Sequence, residues 1–277
     1  MKEMVRLLGS EHAMDDLPQA LARYARSFRP ATIGAMQITC ADELECECVR
    51  AFQRNIADEL LPELEFGQKS AFRLANLSGR YEPGALPVAE HHFATPESVK
   101  GFKVLLVKIN AHVAVESSGS DFRFGALRRY GQPSVACGAL HALLEGREQP
   151  LTAELERVFR ADDKDRLAVL RDPKRVPAGR RALLAALVHV RLQTRRIATE
   201  IGRHKPASPT VYVVAACTTL NRPTRDTELF CGLYLADQRA AGATPAYYGL
   251  GDDPAEYKLS FEHGALHVTD PLLETAR

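Results

Sequence analysis

Lys108, Asn110, His112 and Glu116 recur at even spacing along KINAHVAVE, and each carries a side chain able to do chemistry. In a strand, neighbours on one face stand roughly 7 Å apart. That leaves Ile109, Ala111, Val113 and Val115 to fill the opposite face. His transfers protons near neutral pH, Glu serves as base or metal ligand, and Lys and Asn stabilise developing negative charge. Lys108, Asn110, His112 and Glu116 are therefore the candidate catalytic residues. His112 is the proton-transfer group or metal ligand, and Glu116 is its partner. The rival reading is a half-exposed strand whose polar face is simply wet. The apolar run FKVLLVKI just upstream argues instead for a central strand whose polar face meets a pocket.

Two neighbouring stretches extend the candidate site. SSGSDFRFGALRRYG follows the strand directly, and its Ser118, Ser120, Arg123, Arg128 and Arg129 suit a phosphate or carboxylate group. No P-loop or dinucleotide-binding glycine pattern accompanies them. Glu90-His91-His92 is the other stretch. Adjacent histidines on a helical turn point about 100° apart. A shared ion would thus need help from elsewhere, and His91, His92 and His112 are the candidate ligands for a divalent metal. The nucleobase-deaminase signature is absent, since the acid lies four residues after His112 and no P-C-x-x-C follows. Cys40, Cys46, Cys48, Cys137, Cys217 and Cys231 form no C-x-x-C pair and no zinc spacing. They are expected as reduced thiols that fill core space. Cys137 and His141, four apart on an apolar helix, are read the same way.

The elements that position these groups follow from periodicity. Leu17, Leu21, Tyr24 and Phe28 predict a helix over 15–28, and ATIGAMQITC predicts a strand over 31–40. Leu44, Cys48, Phe52, Ile56 and Leu60 predict a longer helix over 41–65. AFRLANL reads as a short strand, PVAEHHF as one or two helical turns, and Pro96 as the start of another. A helix is expected over 133–146, from Pro133 to the Gly146 stop, and two more over 151–205. Period-two patterning then returns in VYVVAACTT and ELFCGLYLA, joined by LNRPTRDT, which reads as a hydrated hairpin. YKLSFE and ALHV flank His263-Gly264, a two-residue hairpin signal. The class is α+β, with N-terminal helices, a central helical pair, a C-terminal strand cluster and a mixed or mostly antiparallel sheet. Residues 1–277 are read as one domain.

Composition bounds the function. The 277 residues are 45% apolar and carry a formal net charge of +1, enough for a sizeable core and too balanced for a nucleic-acid polyelectrolyte. Lys and Arg outnumber Asp and Glu by 14 to 7 over 151–205, making this a basic helical segment within an otherwise acidic chain. Acidic residues interrupt it and its arginines lack the run of aromatics that base stacking needs, so it is read as a solvated face or a contact between copies in a homo-oligomer. Apolar runs are too short for a bilayer, and the first residues lack a secretory apolar region. The expectation is a soluble, cytoplasmic enzyme of hydrolase or lyase type. It would act on a small anionic, phosphate- or carboxylate-bearing substrate by His/Glu acid–base or metal-assisted chemistry. The alternative is a non-catalytic protein that binds an anionic ligand or self-assembles through the same face.

Overall fold

A computed structural model describes residues 1–13, 16–28, 31–42, 50, 52, 71–92, 102–118, 121–129, 131–147, 150–161, 165–239, 242–251, 253–262 and 265–269. Its centre is strand β4 (Phe102–Ser118), flanked by β2 (Ala31–Cys40) and β8 (Thr210–Asn221), both parallel to it. Beyond β2 lies β3 (Phe72–Asn76), also parallel. Beyond β8 the sheet turns antiparallel, through β9 (Thr227–Asp237) to β1 (Glu11–Ala13), with β10 (Ala246–Gly249) also paired to β9. Residues 103–115 are buried without exception, so both faces of β4 are covered. This explains the apolar run FKVLLVKI, because strands buried on both faces lose the alternation that marks a half-wet sheet.

Helices complete the α+β architecture. Helix α1 (Lys2–Leu7) leads into α2 (Asp16–Arg26), which packs on β2 and β4 through its buried Leu17, Leu21 and Ala25. Helix α3 (Ala85–His92) follows β3. Helices α4 (Gly138–Leu144), α5 (Pro150–Phe159) and α6 (Arg166–Arg171) precede the long α7 (Arg181–Arg203). The expected stripe Leu183, Leu187, Val190, Ile197 and Ile201 is buried, and α7 lies along β4, β8 and β9. No helix among the described residues is long and apolar enough to cross a membrane.

Several expectations change. The loop after the central strand is a hairpin: β4 runs on to Ser118 and pairs back antiparallel with β5 (Asp121–Phe124). A small ladder of β6 (Leu127–Arg129) and β7 (Gln132–Ser134) comes next. The helix expected from Pro133 therefore begins only at Gly138, since Ala136 takes a φ of +61° that no α-helix allows. The first of the two basic helices is broken in two, because the Asp165 carboxylate accepts the Ala168 N–H and starts a new helix. The terminal strands β11 (Lys258–Glu262) and β12 (Ala265–Thr269) pair with Glu262 opposite Ala265, as the hairpin expectation requires. His263-Gly264, the turn at Pro96 and all of the 41–65 helix but residues 41, 42, 50 and 52 lie outside the described residues.

Buried polar groups tie these layers together. Glu90 of α3 accepts hydrogen bonds from the Tyr212 hydroxyl and, at 2.7 Å, from His204, while Lys103 donates to its backbone oxygen. His189 of α7 is wholly buried, its ring 6.2 Å from Phe159 and nearly parallel to it. Burial pushes its pKa down to about 4, against the opposing pull of the Ser78 backbone and the Cys40 charge. A histidine held neutral in the fold but free to protonate when unfolded stabilises fully above pH 6.5. That contribution is lost as pH falls from 6.5 towards 4, by about 3 kcal/mol in all. Urea unfolding at pH 7 and pH 4.5 should show a smaller acid loss in His189→Gln than in the wild type. Equal losses would contradict this account.

Candidate metal centre

Three distant stretches of chain meet beside the end of β2. Cys40 is that strand's last residue, His112 lies on β4, and Cys137 caps the start of α4. The two sulfurs and a ring nitrogen of His112 all lie within 4.8 Å of one another. Exposures of 2% for Cys40, 0% for His112 and 3% for Cys137 rule out a wet face at His112.

Local backbone geometry brings the thiols there. Ala136 forms an antiparallel bridge to Val113, the residue after His112, and its N–H donates to the Ser134 hydroxyl. This fixes Cys137 beside β4 at the expense of a left-handed alanine, a strain of about 1–2 kcal/mol. On the other side, the turn Leu77–Gly79 carries a second left-handed residue, Ser78 at φ +64°, whose N–H donates to Cys40 Sγ at 3.2 Å. Ser78 and Ala136 are the two non-glycine residues of positive φ among those described, and both adjoin a thiol of the group. Strain gathered at one place marks a geometry that the surroundings enforce. Asn76 brackets the turn by accepting from the Arg80 N–H and donating to the Arg80 oxygen.

The electrostatics fit a cation. Hydrogen bonding to Cys137 holds the Cys40 thiol far below its ordinary range against the cost of burial, and His112 lowers it further. Cys137 moves the other way, pushed up by its hydrogen bond to Cys40, by burial and by the charges of Cys40 and Asp42. The two sulfurs therefore share a proton where a divalent ion would satisfy both. Two thiolates and one imidazole are soft donors that favour zinc over magnesium or calcium. A tetrahedral zinc site holds its donors about 3.5–3.8 Å apart, a small closure from the spacing seen here. Among the described residues three protein donors come together; catalytic zinc sites use three protein ligands and structural ones four.

The expected site residues divide accordingly. His112 belongs to the group, but its companions are cysteines; α3 buries Leu86, Ala89 and Glu90 and leaves His91 and His92 exposed, with the His92 ring near Phe72. Lys108 and Asn110 share the buried face with His112. The Lys108 ammonium pairs with Glu228 and lies 4.9 Å from the Phe52 ring centre, while Asn110 donates to Thr219. Glu116 lies farther along β4, opposite Arg123 of β5, whose side chain is exposed, as is that of Arg128. Ser120 and the side chains of Ser118 and Arg129 lie outside the described residues. Cys40 and Cys137 escaped the sequence reading because zinc spacings record ligands on one local element. The faint signal was Cys40 itself, a polarisable residue at the end of a β-prone run.

Fold and site thus define an α+β protein with a buried Cys/His/Cys group able to hold a metal ion. Among solved structures, the chain is similar to PtLCIB4, a homolog of the limiting CO2-inducible protein LCIB, at 14% identity and a TM-score of 0.57. That match covers 86% of this chain and 96% of the other. It is also similar to LCIB itself, at 17% identity and TM-score 0.54 over 86% and 93% of the two chains. A histidine-to-alanine mutant of PtLCIB4 matches at 14% identity and TM-score 0.56, over 82% and 90%. At these identities the likeness is one of fold. No protein-family model matches the chain, and no curated protein matches it by sequence.

Proposed function

We propose that the protein is a zinc-dependent lyase that interconverts carbon dioxide and bicarbonate, with Cys40, His112 and Cys137 as the metal ligands. The observation that carries this reading is the burial and convergence of those three donors, the number of protein ligands a catalytic zinc site uses. The fold's likeness to proteins named for limiting CO2 supports the choice of substrate. Zinc, when bound, supplies a Lewis acid that makes water nucleophilic at neutral pH. The chain's own residues do the rest. Cys40 and Cys137 provide negative charge, His112 a neutral donor, and the buried surroundings keep bulk water from competing. Asp42 adds a carboxylate whose charge reaches Cys137. Bicarbonate is the small anion of the reaction and suits the carboxylate-like substrate expected from the arginine-bearing hairpin.

The test is metal analysis of the purified protein, joined to stopped-flow CO2 hydration followed with a pH indicator. We expect close to one zinc per chain, hydration that chelation abolishes and zinc restores, and loss of both zinc and activity in Cys137→Ser. A chain that binds zinc stoichiometrically yet leaves hydration at the buffer rate would overturn the activity. A chain that retains no zinc would overturn the metal centre as well.

A further inference from the structure

We infer that Asn221 is the positioning residue of the metal centre, holding His112 in the tautomer whose Nε2 carries the lone pair that would ligate. This rests on the metal-centre reading above and adds a role to a residue outside the donor set. Asn221 is the last residue of β8, wholly buried, and pairs in register with Ala114, two residues beyond His112 on the parallel neighbour β4. That diagonal brings its Oδ1 to 2.9 Å from His112 Nδ1. The same offset repeats one step back, where Asn110 donates to Thr219 at 2.8 Å. The turn after Asn221 is anchored too, since the buried Asp226 carboxylate accepts the Arg222 N–H.

A carboxamide oxygen only accepts, so the proton of this contact sits on Nδ1. A neutral imidazole carries one proton, and Nε2 is then left with its lone pair. Cys40 also hydrogen-bonds the His112 side chain, so the ring spans the gap between β8 and the thiols. Outer partners of this kind fix ring orientation, and their loss typically weakens metal binding 10–100-fold. Most such partners are carboxylates. An amide fixes the tautomer without adding charge, leaving the two thiolates as the anionic donors.

Two measurements test this. The first is the ring nitrogen NMR of His112 in the zinc-loaded wild type, which should show a protonated Nδ1 and a metal-bound Nε2. The reverse assignment, which a flipped Asn221 amide would produce, overturns the inference without any variant. The second is zinc affinity by competition with a chromophoric chelator. Asn221→Ala should bind zinc about 10–100-fold more weakly. Asn221→Asp, which keeps the acceptor, should stay within a few fold of wild type or bind more tightly. Equal affinity in wild type and Asn221→Ala would refute the positioning role while leaving the metal centre intact. Failure of the wild type to bind zinc would instead remove the reading on which it rests.

Discussion

Glu228→Ala should lower folding stability by about 3–5 kcal/mol, the range expected when one member of a buried ion pair is removed. Glu228 and Lys108 have side-chain exposures of 1% and 0%, and the pair joins β4 to β9 across the intervening β8. Removing the carboxylate leaves the ammonium in a low-dielectric interior without the charge that offset its desolvation. The informative control is the double variant Lys108→Met/Glu228→Leu. Replacing both charges with apolar groups of similar size is often neutral or stabilising, so it should recover most of the loss. Chemical denaturation at pH 7 reads both. A cost below about 1 kcal/mol in Glu228→Ala would show that the pair is not the anchor its burial implies. Hydration by the double variant then decides between two roles for Lys108. Retained activity would make it a structural cation, and lost activity with zinc still bound would return it to the catalytic set.

Gly79→Ala is the second variant with a large expected effect. A Cβ there would stand 2.4 Å from the Asn110 oxygen and 3.2 Å from the Cys40 nitrogen, both backbone atoms, on a residue at φ +67°. Neither neighbour is a flexible side chain that could swing away. The left-handed strain alone is about 1–2 kcal/mol, and overpacking adds about 1–3 more. Because the same turn presents the Ser78 N–H to Cys40, zinc affinity should fall with stability. Ser78→Gly makes the counterpart. It relieves a left-handed serine but loses the hydroxyl bond to the Leu77 oxygen and loosens the unfolded chain, so its stability should stay within about 1 kcal/mol of wild type. Thermal melts with and without zinc separate the two effects. Gly79→Ala melting with the wild type in both conditions would mean the turn can move aside, and the account of its close approach would be wrong.

How much of this was legible in the sequence differs by kind of signal. Strands β2, β8 and β9 stood out because β-branched, apolar runs at their length have few alternatives, and α7 because its apolar stripe is long. His112 was legible for a related reason: a polar side chain in register with an otherwise apolar strand needs a partner wherever it points. Lys108, Asn110 and His112 share one buried face of β4, each with a partner on β8 or β9. Lys108 and Asn110 meet Glu228 and Thr219 because parallel strands on both sides bury the whole of β4. Cys40 and Cys137 were illegible as ligands, since crossovers of the sheet and a bridge at Ala136, not local spacing, bring them to His112. The hairpin of β4 and β5 was read as a loop because serines and glycine at its tip masked the pairing beneath.

The strand order also dictates a schedule of assembly. Cys40, His112 and Cys137 all leave the ribosome before β8 is made, whereas Asn221 closes that strand and β1 must wait for β9 to pair at all. During synthesis the donor set is thus complete while the sheet still lacks its inner neighbour on one side. Long-range parallel pairing of this kind is slow to form, and its edge stays open until the partner arrives. On the metal-centre reading, a nascent chain would present its two cysteines and histidine before Asn221 is there to hold the ring. The orientation of that ring is among the last features of the centre to be set.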